Sequence, residues 1–528
     1  MRDFHLPGRS AVFADQGMCA TSHPLAAQTA VSILQQGGNA VDAAVAAAVL
    51  LGFCEPQMTG LGGDMFAMVK RGDSDDIIGL NASGRAPAGL DAAVLRASGL
   101  TKVPKGHIAS ITLPGAVDGF CQLHTDMGQL PLSAVLAPAI HYADAGVPVA
   151  PRVAADLATS TDRLQGTTRD RFSNHGTAFA MGDRFAAPGQ AEVLRRIAVN
   201  GRAGFYEGEV AQDMVASLQA LGGSHTLDDF AATRCSYVTP ISTRYRGVEL
   251  IELPPNGQGA TAMLLAHMME GFDIAAMDPF GTERAHLEAE ATKLAYDARN
   301  RFVADFDATT RLAHMLDRGT AKALAAKIDP ARAMDTPAAL SEDVHKETVY
   351  LTVVDKNRMV VSMIYSIFSD FGSAQASDRF GILFHDRGAG FNLTEGHPNE
   401  AAGGKRPMHT IIPAMLREAD GSLMPFGVMG GQYQATGHMR FLSNVVDYGM
   451  RPQQAIDSPR CFSDADLGGL RVETGYAQSV RDDLAAMGHN VIHKDLPIGG
   501  AQAIRIDART GVLEGGSDPR KDGIALGY

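Results

Sequence analysis

Cysteine is scarce and unpatterned in this chain. Its 528 residues hold five, Cys19, Cys54, Cys121, Cys235 and Cys461, an odd number with no Cys-x-x-Cys pair. That excludes a regular disulfide framework and fits small buried thiols in a reducing compartment. Long apolar runs are missing too. The most apolar one, Ala40 to Phe53, is too short and Ala-rich to cross a bilayer and reads as a buried helix. Met1 to Gly17 lacks the apolar stretch of a secretory signal, so a cytoplasmic protein with no membrane partner is expected. There is no basic run of the kind that tracks phosphates, and the net charge of −13 argues against a nucleic-acid partner. No His-Glu-x-x-His or other metal-ligand spacing occurs. Internal repeats and low-complexity segments are absent as well. What remains is ordinary for a globular chain, 45% apolar and 20% charged, with enough length for a large core and more than one domain.

One stretch, Asp343 to Gly372, organises the rest. Its alternating β-branched runs flank the polar turn Lys356-Asn357-Arg358, a strand–turn–strand signal. Side chains alternate with period two, so Thr348, Tyr350 and Thr352 share one face, as do Ser362, Ser366 and Phe368. A hairpin folded around Asn357 sets Thr348 opposite Ser366, and a slip of one residue would undo the match. Upstream, helices are expected from Leu25 to the Gly37-Gly38 stop, over Ala40 to Leu51, and over Thr282 to Val303. His23 reads as a helix-start residue and Asp42 as a structural carboxylate. A Gly-rich loop, Gly60-Leu61-Gly62-Gly63-Asp64, leads into a strand from Met65 to Lys70. It lacks the Gly-Lys-Ser/Thr ending of a phosphate cradle. Ile108 to Pro114 and Gly381 to Phe384 read as extended, and Pro330 to Asp343 reads as a linker.

Two blocks of sequence resemble the γ-glutamyltransferase family. The first is Ser22-His23-Pro24-Leu25-Ala26, then Gly37-Gly38-Asn39-Ala40-Val41-Asp42, Glu55-Pro56 and Gly60-Leu61-Gly62-Gly63. The second is Thr348, Val353-Val354-Asp355 and Phe371-Gly372-Ser373. The resemblance covers nearly the whole chain. It implies the α+β, four-layer αββα sandwich of the N-terminal-nucleophile hydrolases and a precursor cleaved between Glu347 and Thr348. A large chain, 1–347, and a small chain, 348–528, would then associate in one unit. Thr348 becomes the nucleophile, Ser366 the hydroxyl that contacts it, and Gly430 and Gly431 the donors of the oxyanion hole. A threonine hydroxyl needs a base, and the freed α-amino group supplies one, with a pKa of about 7.7–8.0. No metal or cofactor is required.

The specificity positions depart from relatives that handle glutathione. Arg387 stands where they carry Gln, Gly390 where they carry Asp, Phe368 where they carry Asn, and His409-Thr410 where they carry Ser-Ser. Their carboxylate-binding Arg has no counterpart at Ser83, and Arg85 lies two residues on. Losing the Asp removes the partner of an α-ammonium, while Arg387 adds a planar fork suited to a carboxylate. Arg387, His409, Thr410 and Arg85 are therefore the candidate substrate-binding residues. The alternative reading of Arg387 is half of a structural ion pair with Asp386 or Asp370, and that of His409 a core histidine. The pattern looks more like the oxamate amidohydrolase branch and implies a small carboxylate-bearing amide as substrate. A γ-glutamyl hydrolase or transferase is the alternative, and an uncleaved, non-catalytic relative is a third. Assembly of identical copies is left open by the sequence.

Overall fold

The computed structural model describes residues 8–334 and 348–528. Glu347 and most of the expected linker lie outside the described residues. The hairpin forms as its pattern dictates. Strand Val349–Val354 pairs antiparallel with Val360–Ser366, in a register running from Val349 opposite Tyr365 to Val354 opposite Val360. Asp355 closes the turn by accepting the N–H groups of Asn357 and Met359 at 2.9 and 3.0 Å. One more step of the same register puts Thr348 across from Ser366.

The hairpin is the middle of a sheet that is antiparallel throughout. Its order is Ile524–Gly527, Met18–Thr21, Val349–Val354, Val360–Ser366, Asp64–Lys70, Ile77–Ala82 and Ser236–Val238. A second antiparallel sheet runs Val12–Ala14, Leu513–Ser517, Gly500–Ile506, Leu423–Met429, Ala414–Arg417, Val248–Glu252 and Ile241–Tyr245. Alternation assigns the faces. Leu351, Val353, Met363, Tyr365, Met65 and Ala67 pack against the helices Pro24–Gln35 and Ala40–Cys54. Tyr350, Val354, Ile364, Phe66 and Met68 point the other way and meet Ile251, Met415, Met429 and Ile504 of the second sheet. That sheet's outer face, with Leu250, Leu416 and Phe426, is covered by the helices Gly259–Met269, Thr282–Phe302 and Gln434–Val446. The result is the four-layer helix–sheet–sheet–helix arrangement. Each large side chain buried between the layers contributes about 1.5–3 kcal/mol. The sheets approach closely at Gly427, where an added Cβ would lie 2.3 Å from the Tyr350 ring.

The helix Ala40–Cys54 is buried along its whole length and opens with a capping box between Asn39 and Asp42. Asp42 also accepts the N–H groups of Gln129 and Leu130, the structural role expected of it. His23 caps the preceding helix by accepting from Leu25 N–H. Two expectations fail. Ile108–Ser110 is a single 3-10 turn capped by the His107 side chain. Gly381 to Phe384 joins neither sheet: Gly381 has φ of 68°, and the run folds back on Ser373, Gln375 and Ser377 through backbone hydrogen bonds.

Candidate active site

Strand pairing alone assembles a row of polar side chains at the end of the inter-sheet layer. Ser366 is opposite Asp64 in the sheet register, and Thr348 follows on Ser366's other side. Directly opposed residues share a face, so all three point toward the second sheet. Thr348 is 1% exposed, and its Oγ1 lies 3.4 Å from Ser366 Oγ. Ser366 Oγ also accepts from Phe368 N–H at 2.9 Å and from Arg387 Nη2 at 3.3 Å.

Arg387 is wholly buried. Its Nη1 donates to Thr410 Oγ1 at 3.1 Å, and its Cζ sits 4.2 Å from the centroid of the Phe368 ring. Phe368 holds φ of 79°, a strained conformation for a side chain with a Cβ. The carboxylate within ion-pair distance of Arg387 is that of Asp64, whose Oδ2 lies 3.5 Å from Arg387 Nε, while Asp386 acts on it through its charge. Burial pushes the guanidinium down to about 10, against the opposing pull of Asp64 and Asp386, so it remains charged at neutral pH.

Asp64 is the hub of the cluster. Its Oδ1 accepts Gly84 N–H at 3.0 Å, and its Oδ2 accepts His409 Nε2–H at 2.8 Å and faces His385 Nδ1 at 3.4 Å. Burial would raise its carboxyl, but the charge of His385 and hydrogen bonds from His385 and His409 outweigh it. The group is held far below the usual carboxylate range. His409 Nδ1 accepts Ile411 N–H at 3.3 Å, which fixes the neutral tautomer with the proton on Nε2. Burial, then Arg387, push His409 down to about 3. Sequence reasoning assigned neither Asp64 nor His385 to the site. The signal was a charged residue closing a Gly-Gly loop.

The glycines of that loop serve close packing. A Cβ on Gly63 would lie 2.5 Å from the Ser366 carbonyl, and one on Gly62 2.0 Å from that of Leu383. Gly430 and Gly431 follow the strand Leu423–Met429 with φ of 123° and 54°, conformations that favour glycine. The Gly430 carbonyl accepts Tyr433 N–H at 3.0 Å. The N–H of the same planar peptide, that of Gly431, therefore points away from Tyr433 N. Gln258 Nε2 ties this turn to the cluster by donating to the carbonyls of Thr410 (2.7 Å) and Gly431 (3.2 Å). Arg85 is placed elsewhere: it is half-exposed, and Nη1 contacts Asp305 and the Gly404 carbonyl, both at 3.0 Å. The structure thus brings Thr348, Ser366, Arg387, His409 and Thr410 together around Asp64, and leaves Arg85 in a separate ion pair.

Among the described residues, one group has metal-ligand composition. His286, Glu290 and His489 are buried with ligand atoms within 4.8 Å of one another. His286 and His489 bond each other at 2.8 Å, and the Lys293 ammonium lies 2.7 Å from Glu290, supplying the charge a cation would bring. A cavity of about 550 Å³ lined by Arg471, Glu473, His493, Lys494 and Arg520 shares no residue with the Thr348 cluster.

Comparison with known proteins bears on the family and the fold. The family described as gamma-glutamyltranspeptidase matches residues 26–528. The glutathione hydrolase-like YwrD proenzyme of Bacillus subtilis is 36% identical, over 98% of this chain and 99% of its own length. The oxamate amidohydrolase proenzyme of Klebsiella pneumoniae is 32% identical, over 97% and 98% respectively. The crystal structure of cephalosporin acylase from Bacillus halodurans superposes with a TM-score of 0.91 at 35% identity, covering 100% of this chain and 99% of that one. With its two face-to-face sheets and the hydroxyl row between them, the chain belongs to the γ-glutamyltranspeptidase family of N-terminal-nucleophile hydrolases, enzymes that act on amide bonds.

Proposed function

We propose that the chain is a precursor cut between Glu347 and Thr348. The freed Thr348 then hydrolyses a small amide whose acyl part carries a carboxylate, oxamate being the simplest such compound. The observation that carries this reading is the position of Arg387. A buried guanidinium donates to Ser366 Oγ, the atom 3.4 Å from the Thr348 hydroxyl. A substrate carboxylate received there lies one short acyl group from the attacking oxygen. Thr410, which accepts from Arg387 Nη1, and His409, which donates to Asp64, stand at that end of the cluster. The oxamate-cleaving relative supports the same class.

The chemistry runs on the chain's own groups. The α-amine of Thr348 takes the hydroxyl proton as Oγ attacks the amide carbon. The N–H groups of Gly430 and Gly431 meet the oxyanion. The amine passes its proton to the leaving nitrogen, the C–N bond breaks, and ammonia departs, leaving an ester on Thr348. Water, losing a proton to the same amine, attacks that ester and the proton returns to Oγ. With oxamate the products are oxalate and ammonia.

The γ-glutamyl reading draws on the 36% identical relative with a glutathione hydrolase-like name. Against it, Gly390 occupies the place where an Asp would meet the ammonium. A Cβ there would lie 2.6 Å from the Met408 carbonyl, so a carboxylate does not fit without moving backbone. Purified enzyme is expected to show two bands on a denaturing gel and to release ammonia from oxamate. It should release little p-nitroaniline from γ-glutamyl-p-nitroanilide. Thr348→Ala should stay one band without activity. Two bands from that variant, or efficient anilide cleavage without ammonia from oxamate, would overturn the reading.

A further inference from the structure

We propose that Asp64 is a positioning residue. It holds the Arg387 guanidinium by its Nε edge, so that the Nη1–Nη2 end faces the Thr348 row and reads the acyl carboxylate. This rests on the carboxylate-bearing amide proposed above.

The argument starts from how little freedom Asp64 has. Its strand position is set by the pairing with Ser366, and the Gly63 backbone presses on that same residue. Each of its oxygens is engaged, Oδ1 by Gly84 N–H and Oδ2 by His409 Nε2–H. The carboxylate therefore stands still, and the guanidinium aligns to it. Phe368 closes one face of the guanidinium plane, and Asp64 lies along its Nε edge at 3.5 Å. Among the described residues, the remaining end donates to the hydroxyls of Thr410 and Ser366. Hydroxyls rotate at small cost, so that end can exchange two neutral acceptors for one carboxylate. An arginine free to move would have to be ordered by the substrate, at the cost of its side-chain entropy. Here the ordering is done beforehand by the fold. The consequence is felt in binding the carboxylate, since neither Asp64 nor Arg387 donates to or accepts from the breaking bond.

The test compares oxamate with its uncharged methyl ester on processed two-chain enzyme. In Asp64→Asn the KM for oxamate should rise by at least about tenfold, the size expected for a charge-assisted contact, with kcat nearly unchanged. The methyl ester should lose less than about threefold in kcat/KM, having no carboxylate to read. Asp64→Glu, which keeps the charge but displaces it, should show the same split in smaller form; it carries the test if Asp64→Asn fails to mature. Equal losses for both substrates, or a loss confined to kcat, would overturn the assignment. A parent enzyme that releases no ammonia from oxamate counts against the substrate reading instead. In that case Asp64 is tested by the oxalate-induced rise in melting temperature, expected in the parent and abolished in Asp64→Asn. No rise in the parent, or an equal rise in both, refutes it.

Discussion

Replacing Arg387 by Met removes one charge of a buried pair and keeps much of the volume. Arg387 and Asp64 are both wholly buried, so the orphaned carboxylate cannot recover water. It keeps His409, Gly84 and the His385 ring at 3.4 Å but loses the guanidinium charge at 3.5 Å. Breaking a buried pair from one side costs about 3–5 kcal/mol. With an unfolding entropy of roughly 2.1 cal/mol/K per residue over a chain of this length, that lowers the melting temperature by about 3–5 °C. The double variant Asp64→Asn/Arg387→Met has no orphaned charge and should recover most of the loss, because an apolar replacement of a whole buried pair is often neutral. The assay is thermal unfolding of the four proteins of the cycle, at one scan rate and one pH, with maturation checked on a denaturing gel. If Arg387→Met melts with the parent, or if the double variant melts as low as the sum of the singles, the two groups do not depend on each other. The cluster described around Asp64 would then be wrong.

Further outcomes follow from other parts of the molecule. The Thr348 amine accepts a proton only when unprotonated, so kcat/KM should fall about tenfold per pH unit on the acid side of about 7.7–8.0. An acid limb near 3 would instead point to His409, which burial and Arg387 push down to about 3. Glu55, which accepts from Ser22, is pushed up from 4.5 to about 7 by burial, against Lys521 and that hydrogen bond. The folded state then holds the proton more tightly than the unfolded one. Its contribution is present below pH 4.5 and lost as pH rises through 7. Glu55→Gln should therefore be more stable than the parent at pH 8, by up to roughly 3 kcal/mol, and level with it near pH 4. Denaturant midpoints at the two pH values check this, and an unchanged difference refutes it. Gly427→Ala places a methyl 2.3 Å from the Tyr350 ring. Because Tyr350 is held through its hydroxyl to Ser362, the overpacking should cost about 1–3 kcal/mol, read as a lower denaturant midpoint.

Much of this protein is local in origin. Two alternating runs around a five-residue turn are enough to set their own register, because a slip of one residue would expose Val349, Leu351 and Val353 to the wrong layer. That put Thr348 across from Ser366 before any tertiary contact was considered. The buried helix, expected over Ala40 to Leu51 and found over Ala40–Cys54, and the Gly37-Gly38 stop before it were legible for the same reason. What surrounds the threonine was not. Asp64 opens a strand, His385 and Arg387 lie at one later turn and His409 on a loop further on, and Asp64 and His409 are 345 residues apart. No spacing rule links them, since their approach is decided by which strands pair and how closely two sheets pack. The same distance misled the reading of arginines: Arg387 found its carboxylate on a strand far upstream, and Arg85 was drawn to Asp305. Periodicity governs neighbours along the chain, whereas a buried charge takes whatever opposite charge the packed fold brings within reach.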